Sequence, residues 1–248
     1  MAKKMVVILG PTAAGKSDMA VNLSQKFNGE VVSADSRQVY RGMNIGTGKI
    51  TKEEMRGIPH YCIDVVSPKT KFTVTQYRKL ALKAIDKIFK NGKLPILCGG
   101  TGFYIQAVVD GIIIPQIKPD WQLRKKLEKK TTKELYQMLQ KSDPRRAGNI
   151  DKNNPRRLIR AVEIVMKTKK PVPLLKKNPL PYPVLMIGIN KKPKIKERVE
   201  QMLKLGLEKE AKQFSDKEII GYQEWSSDNP KDLIILHTKQ YAKKQMTW

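Results

Sequence analysis

An eight-residue stretch near the start of the chain constrains the fold more than any other feature. GPTAAGKS, from Gly10 to Ser17, directly follows the apolar run Met5–Leu9. It fits the pattern G-x-x-x-x-G-K-[ST], in which a glycine-rich loop between a strand and a helix cradles phosphate groups with its backbone N–H groups. The residues expected to contact a diphosphate are Gly10, Pro11, Thr12, Ala13, Ala14, Gly15, Lys16 and Ser17. We refer to this segment as the 10–17 loop.

The segments after the loop alternate between helix-like and strand-like patterns. The helices are expected at Lys16–Phe27 and from Thr73 to Gly92, where apolar residues recur at helical spacing. Short apolar runs predict strands, and a proline at the first turn favours a later helix. The predicted strands are Glu30–Ala34, His60–Val66, Leu94–Cys98 and Pro183–Ile189, and later helices are predicted from Pro155, around Arg198 and at the end of the chain. This order predicts an α/β fold, a parallel sheet with helices on both faces.

The alternation breaks after two prolines, Pro115 and Pro119. Residues 118–160 hold 14 Lys or Arg against 5 Asp or Glu, and they contain no strand-like run. Six of the eleven arginines lie between Arg124 and Arg160. We therefore predict a first core part at residues 1–115, a small helical, basic insertion domain at 116–160, and a second core part at 161–248.

The formal net charge of +26 favours a nucleic acid as the partner of such a chain. Cys62 and Cys98 lie far apart in apolar runs, which indicates small core residues in a reducing compartment. No apolar stretch is long enough to cross a membrane, and the first residues do not resemble a signal peptide. We expect a cytoplasmic protein, a monomer, that does not bind membranes.

One residue that nucleotide-hydrolysing proteins with this loop use is missing. They usually place an aspartate at the end of a buried strand to hold Mg²⁺. The best candidate strand, Leu94–Cys98, is followed instead by Gly99, Gly100 and Thr101. An aspartate, Asp35, follows the second predicted strand, where its carboxylate could take a proton from an acceptor substrate. The loop is therefore expected to hold a diphosphate while Asp35 faces the acceptor.

Lys16 and Ser17 are the loop residues with side chains suited to a diphosphate. Lys16 supplies a positive charge that would stabilise a departing diphosphate, as would the N–H groups of Ala13 to Ser17. The hydroxyl of Ser17 can bind Mg²⁺ that bridges phosphate oxygens. We predict Mg²⁺ as the cofactor and Ser17 as its ligand from the protein.

Six stretches together resemble the tRNA dimethylallyltransferase, or isopentenyl-tRNA transferase, family. In chain order they are GPTAAGKS, SADSRQVYRGMNIGTGK, GGTGFYIQAVVDG, NNPRRLIRAVEI, IGYQEW and YAKKQMTW. The resemblance covers nearly the whole chain, from about Met5 to Trp248. It implies that the loop holds dimethylallyl diphosphate. The dimethylallyl group would pass to N6 of the adenosine 3′ of the tRNA anticodon, with release of pyrophosphate.

The resemblance also assigns roles to individual residues. It implies that Asp35 is the general base for the N6 proton and that Thr101 lies beside the phosphates and the substrate. Arg198 matches the diphosphate-binding arginine of the family, and Lys194 stands where relatives often have a second arginine. The predicted catalytic residues are Asp35, Thr101, Arg198 and Lys16.

The tRNA contacts also follow from the resemblance. The segment DSRQ matches the one that grips the extruded adenosine, and Thr101 lies beside it. The segment RRLIR, together with Arg124, matches contacts to the anticodon stem-loop. The predicted tRNA-binding residues are Asp35, Ser36, Arg37, Gln38, Thr101, Arg124, Arg156, Arg157, Leu158, Ile159 and Arg160.

Three other functions remain open from the sequence. A prenyltransferase acting on free AMP would share the 10–17 loop, Asp35 and Thr101 but would not need the arginine-rich insertion. A P-loop nucleoside or metabolite kinase would bind and turn over ATP. A non-catalytic RNA-binding relative is the third, because the segment between Trp225 and Thr238 looks short and the chain ends at Trp248. The lack of a zinc-finger extension leads us to expect a bacterial-type enzyme.

Overall fold

The computed structural model of the protein describes residues 2–113, 115 and 117–247. Its central feature is a sheet of five parallel strands in the order β3-β2-β4-β1-β7. A second sheet pairs β5 with β6. The strands are β1 Met5–Leu9, β2 Gly29–Ser33, β3 His60–Tyr61, β4 Leu94–Gly99, β5 Ile112–Ile113, β6 Lys176–Lys177 and β7 Val184–Gly188.

The helices predicted at Lys16–Phe27 and from Thr73 to Gly92 begin and end close to the predicted residues, and the one predicted from Pro155 begins there. The helices of the described residues are α1 Lys16–Phe27, α2 Lys52–Met55, α3 Val74–Lys90, α4 Gly102–Val109, α5 Trp121–Leu127, α6 Thr132–Ser142, α7 Pro144–Gly148, α8 Pro155–Thr168, α9 Ile195–Lys204, α10 Leu207–Gln213 and α11 Pro230–Gln245. A 3₁₀ turn covers Gln223–Ser226. The residues outside the description include Gln116, predicted as the start of the insertion, and Trp248, predicted in the last helix.

The two faces of the large sheet are covered by different helices. The apolar stripe of α3, which includes Tyr77, Ala81 and Ile85, is buried together with α4 against one face. Ala20 of α1 packs with Ile8 and other strand residues in a separate core cluster. The predicted α/β class with helices on both faces is therefore confirmed.

The predicted third strand, His60–Val66, was mostly wrong. Only His60 and Tyr61 pair with β2. Cys62 and Asp64 adopt left-handed backbone angles, with φ of 64° and 53°, which turn the chain out of the extended conformation. Val66 returns only as an isolated bridge to Tyr40.

The insertion forms a compact unit of its own, Ile113–Lys176. Helices α5, α6, α7 and α8 share one apolar core that includes Leu135, Leu139 and Leu158. The predicted insertion, 116–160, ends in the middle of α8, which continues without a break to Thr168. Residues 161–176 thus lie in this unit, although the sequence prediction placed them in the core. The other unit combines Met1–Ile112 with Lys177–Trp248.

Within the insertion unit, a buried carboxylate joins two arginines. Glu163 is 0% exposed, and its oxygens accept hydrogen bonds from Arg124 Nε at 2.9 Å and Nη2 at 2.7 Å, and from Arg160. The backbone N–H of Asp120 donates to the same carboxylate. Burial alone would raise the pKa of Glu163, but the hydrogen bonds from Arg124 and Arg160 outweigh it and leave the pKa below its ordinary value. The ionised carboxylate is therefore part of the folded unit.

No helix among the described residues is long and apolar enough to cross a membrane. The two cysteines, Cys62 and Cys98, are both buried free thiols. Burial raises the pKa of each thiol to about 12, which makes them unreactive core residues.

We expect Glu163→Gln to destabilise the insertion unit by about 2 kcal/mol, because two arginines would lose their charged partner. The value lies below that of a fully buried pair, since Arg124 and Arg160 remain 22% and 26% exposed and can regain water. Because the folded pKa is lowered, the contribution is present at neutral pH and is lost as the pH falls below 4.5. Urea unfolding monitored by circular dichroism measures the change, with the exposed Glu128→Gln as the matched control. Equal unfolding midpoints for the two variants at neutral pH would contradict the expectation.

Candidate active site

Three chain segments meet at the carboxyl edge of the large sheet. The 10–17 loop follows β1, and Asp35 follows β2. Gly99 is the last residue of β4, and Gly100 and Thr101 follow it. The backbone of Ala34 binds both sides of the β4 end, since its N–H donates to Cys98 O at 2.8 Å and its carbonyl accepts from Thr101 N at 3.1 Å. A Cβ atom on Gly99 would lie 2.2 Å from Ala34 O. A residue larger than glycine would therefore push these two segments apart.

Thr101 binds the segment that carries Asp35. Its Oγ1 accepts a hydrogen bond from Ser36 N at 3.0 Å and donates to Ser36 Oγ at 3.3 Å. Thr101 occupies the N-cap position of α4, but its side chain makes no cap hydrogen bond. The hydroxyl of Thr101 joins two site segments instead of capping the helix.

Asp35 borders two neighbouring cavities and also shapes its own turn. Its Oδ1 accepts a hydrogen bond from Arg37 N at 2.8 Å, which holds the turn that begins the segment DSRQ. Gln38, at the end of that segment, donates from Nε2 to Gly48 O at 3.1 Å. The predicted adenosine-gripping residues thus form a hydrogen-bonded wall of the site.

Two cations lie close to Asp35. Lys16 Nζ donates to Pro11 O at 2.7 Å, so the lysine is folded back onto its own loop. Burial lowers the pKa of Lys16, and Cys98 and Asp35 partly oppose this. Arg198 Nη2 donates to Gly48 O at 2.9 Å, and burial lowers its pKa while Asp35 raises it. Arg198 is therefore a partly buried site residue and not a solvated helix charge.

One large cavity and two small ones border these residues in the described part of the chain. The large cavity, about 520 Å³, lies over the 10–17 loop and is lined by Lys16, Ser17, Lys194 and Arg198, among others. The small cavities measure about 60 and 90 Å³, and Thr12, Asp35 and Arg198 line both. The larger of these two also has an apolar wall, which is formed by Ile195, Val199, Met202, Ile219, Ile220 and Ile234. A ligand with a charged end and a short apolar end would suit this arrangement.

The sequence did not indicate Glu210, which holds one wall of the site. Its carboxylate accepts hydrogen bonds from the backbone N–H groups of Asn44, Ile45 and Gly46 at 2.8–3.0 Å. Tyr222 also donates its hydroxyl to Glu210 at 2.8 Å. The loop held in this way carries Gly48, the acceptor for Arg198 and Gln38. In the sequence, Glu210 is one of several charged residues of a helix, and nothing distinguishes it from a surface residue.

The predicted tRNA-binding segment of α8 divides into three kinds of residue. Leu158 and Ile159 are 0% and 7% exposed and pack in the core of the insertion unit. Arg160, like Arg124, binds Glu163. Arg156 and Arg157 are exposed on the helix surface. Within the predicted segment RRLIR, Arg160 binds Glu163, whereas Arg156 and Arg157 lie on the exposed surface of the helix.

Ser17 has the chemistry expected of a magnesium ligand. Its side chain lies at the start of α1 and borders the large cavity together with Lys16 and Arg198. Mg²⁺ often binds through one or two protein oxygens, with substrate phosphates and waters completing the set. Among the described residues, no group of three or more His, Cys, Asp or Glu could hold a metal by itself. The residues present therefore fit an ion that arrives with a phosphorylated ligand.

Comparison with known proteins gives one consistent family. The family described as IPP transferase matches residues 38–248. The chain is 41% identical to a tRNA dimethylallyltransferase of Caldanaerobacter subterraneus subsp. tengcongensis, over 100% of this chain and 89% of the relative. It is 39% identical to a tRNA dimethylallyltransferase of Acetivibrio thermocellus, over 98% of this chain and 88% of the relative. The first alignment runs over 281 positions, 33 more than the 248 residues here, so the relative contains segments that this chain lacks.

Solved structures agree with the sequence relatives. A full-length tRNA isopentenylpyrophosphate transferase from Bacillus halodurans is similar with a TM-score of 0.69 and 39% identity, covering 99% of this chain and 86% of that one. A eukaryotic dimethylallyltransferase acting on tRNA is similar with a TM-score of 0.80 and 29% identity, covering 100% of this chain and 70% of that one.

Proposed function

The chain belongs to the IPP transferase family, and we infer that it transfers a dimethylallyl group from dimethylallyl diphosphate to tRNA. The acceptor atom is N6 of the adenosine 3′ of the anticodon, and pyrophosphate is released. The observation that carries this conclusion is that the 10–17 loop, Asp35 and Arg198 line neighbouring cavities, with Thr101 bound to Ser36 beside Asp35, in a chain about 40% identical to tRNA dimethylallyltransferases along its length.

In this proposal the diphosphate occupies the large cavity over the 10–17 loop. Backbone N–H groups at the start of α1 point toward bound phosphates, and the helix end favours negative charge. Lys16 exchanges its contact with Pro11 O for a phosphate oxygen, and Arg198, which lines the same cavity, supplies a second positive charge. Both side chains are already partly buried, so they stabilise the growing charge of the leaving pyrophosphate more strongly than they would in water.

The dimethylallyl group would enter the small apolar cavity beside Asp35. Side chains such as Ile195, Val199 and Ile234 exclude water from the reacting carbon. Thr12, Asp35 and Arg198 line this apolar cavity and also the smaller cavity, which Lys16 borders. A substrate that joins a short hydrocarbon to a diphosphate would therefore place its reactive carbon near Asp35.

The acceptor amine attacks this carbon. The bond between N6 and the allylic carbon forms, the bond from that carbon to the diphosphate oxygen breaks, and the N6 proton passes to the Asp35 carboxylate. Thr101 contributes by holding Ser36, and so the Asp35 turn, in place. Because Asp35 Oδ1 also fixes that turn, the base is oriented before substrate arrives.

We propose Mg²⁺ as the cofactor, with Ser17 as its protein ligand. When bound, the ion neutralises charge on the diphosphate oxygens. The hydroxyl of Ser17, which lines the large cavity, would bind the ion, while Lys16 and Arg198 provide the positive charges of the chain itself.

The insertion unit supports tRNA as the acceptor over free AMP. It presents Arg156 and Arg157 on an exposed helix surface in a chain with a formal net charge of +26. A kinase is less well supported, because β4, the strand beside β1, ends in Gly99 where an aspartate would hold the metal of ATP. A tRNA substrate also favours a cytoplasmic location, and we keep a monomer as the expected state.

The experiment that tests the function uses labelled dimethylallyl diphosphate, Mg²⁺ and unmodified tRNA. We expect label on an adenosine next to the anticodon after nuclease digestion, inhibition by pyrophosphate, and loss of transfer when EDTA removes Mg²⁺. Lys16→Met should lower transfer about 10²–10³-fold, since a charge-stabilising donor is lost. ATP hydrolysis without transfer to tRNA, or transfer to AMP instead, would refute the assignment.

Asp35→Asn should abolish most transfer while leaving tRNA affinity intact. The amide oxygen still accepts the hydrogen bond from Arg37 N, so the turn keeps its shape, but the base is lost at a cost of about 10²–10⁴-fold. Single-turnover transfer with prebound substrates measures the chemical step, and Asp86→Asn, the same change at an exposed position outside the site, serves as the control. Normal single-turnover chemistry with weakened tRNA binding would make Asp35 an RNA contact only.

Replacing Arg156 and Arg157 with alanine should weaken tRNA binding without changing pyrophosphate binding. Each phosphate contact that is removed should reduce the slope of log affinity against log salt by about 0.7 to 0.9. The measurement is a salt titration of tRNA affinity, with the exposed Lys83→Ala as a control for lost charge. Arg160→Ala should instead lower the unfolding midpoint, because Glu163 would keep only Arg124. An unchanged salt slope in the double variant would show that these arginines do not contact the RNA backbone.

A further inference from the structure

The last residue of α11 contacts two of the segments that form the active site. Gln245 Oε1 accepts a hydrogen bond from Thr12 N, in the 10–17 loop, at 2.7 Å. Its Nε2 donates to Gly100 O, in the segment after β4, at 2.9 Å. One side chain thus bridges two backbones that come from different strands. Gln245 lies in the stretch YAKKQMTW, but the sequence assigned it no role.

We propose that Gln245 is a positioning residue that sets the distance between the 10–17 loop and the Gly100–Thr101 segment, and so the fit of the diphosphate. The inference rests on the proposed function, because it takes the 10–17 loop as the diphosphate site. Gln245 itself lies on neither the charged nor the apolar wall of the three cavities described above. It acts through the backbone atoms that it holds.

The chemistry of the contact suits a primary amide. Thr12 offers a backbone donor and Gly100 a backbone acceptor, and only a side chain with both an acceptor and a donor can bind the two at once. Ionised aspartate and glutamate can only accept hydrogen bonds, and lysine and arginine can only donate them. Glutamine also has the length to reach both backbones from the helix, as the two distances show.

The absence of a side chain at Gly100 leaves room for Gln245. A Cβ atom at this position would lie 2.1 Å from Gln245 Nε2, whereas the next non-adjacent backbone atom, Gly10 O, would be 3.5 Å away. The backbone of Gly100 is not in the left-handed region, so its conformation would accept alanine. An alanine at this position would therefore have to displace the side-chain amide of Gln245.

Two neighbours extend the bridge toward the reacting atoms. Tyr241, one turn earlier on α11, lines the small apolar cavity. Its side chain interacts with those of Thr101 and Gln245, and burial raises its pKa to about 12. Thr101 in turn binds Ser36 beside Asp35. A change at Gln245 should therefore reach the diphosphate through Thr12 and the Asp35 turn through Thr101.

The test compares Gln245→Met, which keeps the length but removes both hydrogen bonds, with Gln245→Glu, which keeps only the acceptor. Lys243→Met, at an exposed position on the same helix, is the matched control. Pyrophosphate affinity in Mg²⁺ buffer and tRNA affinity are measured by calorimetry, and KM for dimethylallyl diphosphate and kcat by the transfer assay. Thermal unfolding reports whether each variant is folded.

We expect both Gln245 variants to bind pyrophosphate about tenfold more weakly and to raise KM for dimethylallyl diphosphate by a similar factor. The affinity for tRNA should stay within about twofold of the Lys243→Met control. Unchanged pyrophosphate affinity in folded variants, or an equal loss of tRNA affinity, would overturn the inference. If Gln245→Met fails to fold, Gln245→Glu decides, because it retains the contact with Thr12.

A double-mutant cycle with Gly100→Ala provides a second readout. Alone, Gly100→Ala should displace the Gln245 side chain and weaken pyrophosphate binding to the level of Gln245→Ala. In the Gln245→Ala background the added methyl group has room, so it should have little further effect. Additive losses would refute the bridge. If the wild-type protein neither binds pyrophosphate nor transfers the prenyl group, the proposed function itself is wrong. Loss of binding in the Gln245 variants alone tests this inference.

Discussion

The close approach of Ala34 to the end of β4 determines much of the active site. Two hydrogen bonds, to Cys98 O and from Thr101 N, join these backbones, and the missing side chain of Gly99 lets them meet. The chain that leaves β2 must therefore pass beside the chain that leaves β4. Asp35 and Thr101 then fall next to each other because of backbone geometry, before any substrate contributes to their alignment.

Charge at the site is balanced around Asp35. Lys16 and Arg198 both lose water on burial, which lowers the pKa of each, and both are partly compensated by the same carboxylate. Each cation also donates to a backbone carbonyl, Pro11 O or Gly48 O, which an anionic ligand can replace. The site thus carries partly desolvated positive charge that a diphosphate would neutralise more fully than Asp35 does.

The sequence predicted local elements well and long-range contacts poorly. β1 and α1 match their predicted bounds, because a phosphate-loop pattern and apolar spacing are local signals. The predicted strand from His60 failed after two residues, since left-handed angles at Cys62 and Asp64 follow from tertiary packing. Glu210 and Gln245 escaped prediction for a similar reason, as each binds backbone atoms of distant segments. The roles assigned to the site residues remain predictions that rest on the family resemblance.

The contact of Thr12 with Gln245 spans 233 positions of the chain. Synthesis on the ribosome releases the chain from its first residue, at about 5–20 residues per second. The 10–17 loop and its strand therefore emerge many seconds before the helix that braces them, and β1 also waits for β7 to complete its pairing. The core unit consists of two separate parts of the sequence, so its first part must wait for the second. The insertion unit has an apolar core of its own and can fold before the second part emerges. The contact between Thr12 and Gln245 can therefore form only after the segment that carries Gln245 has emerged.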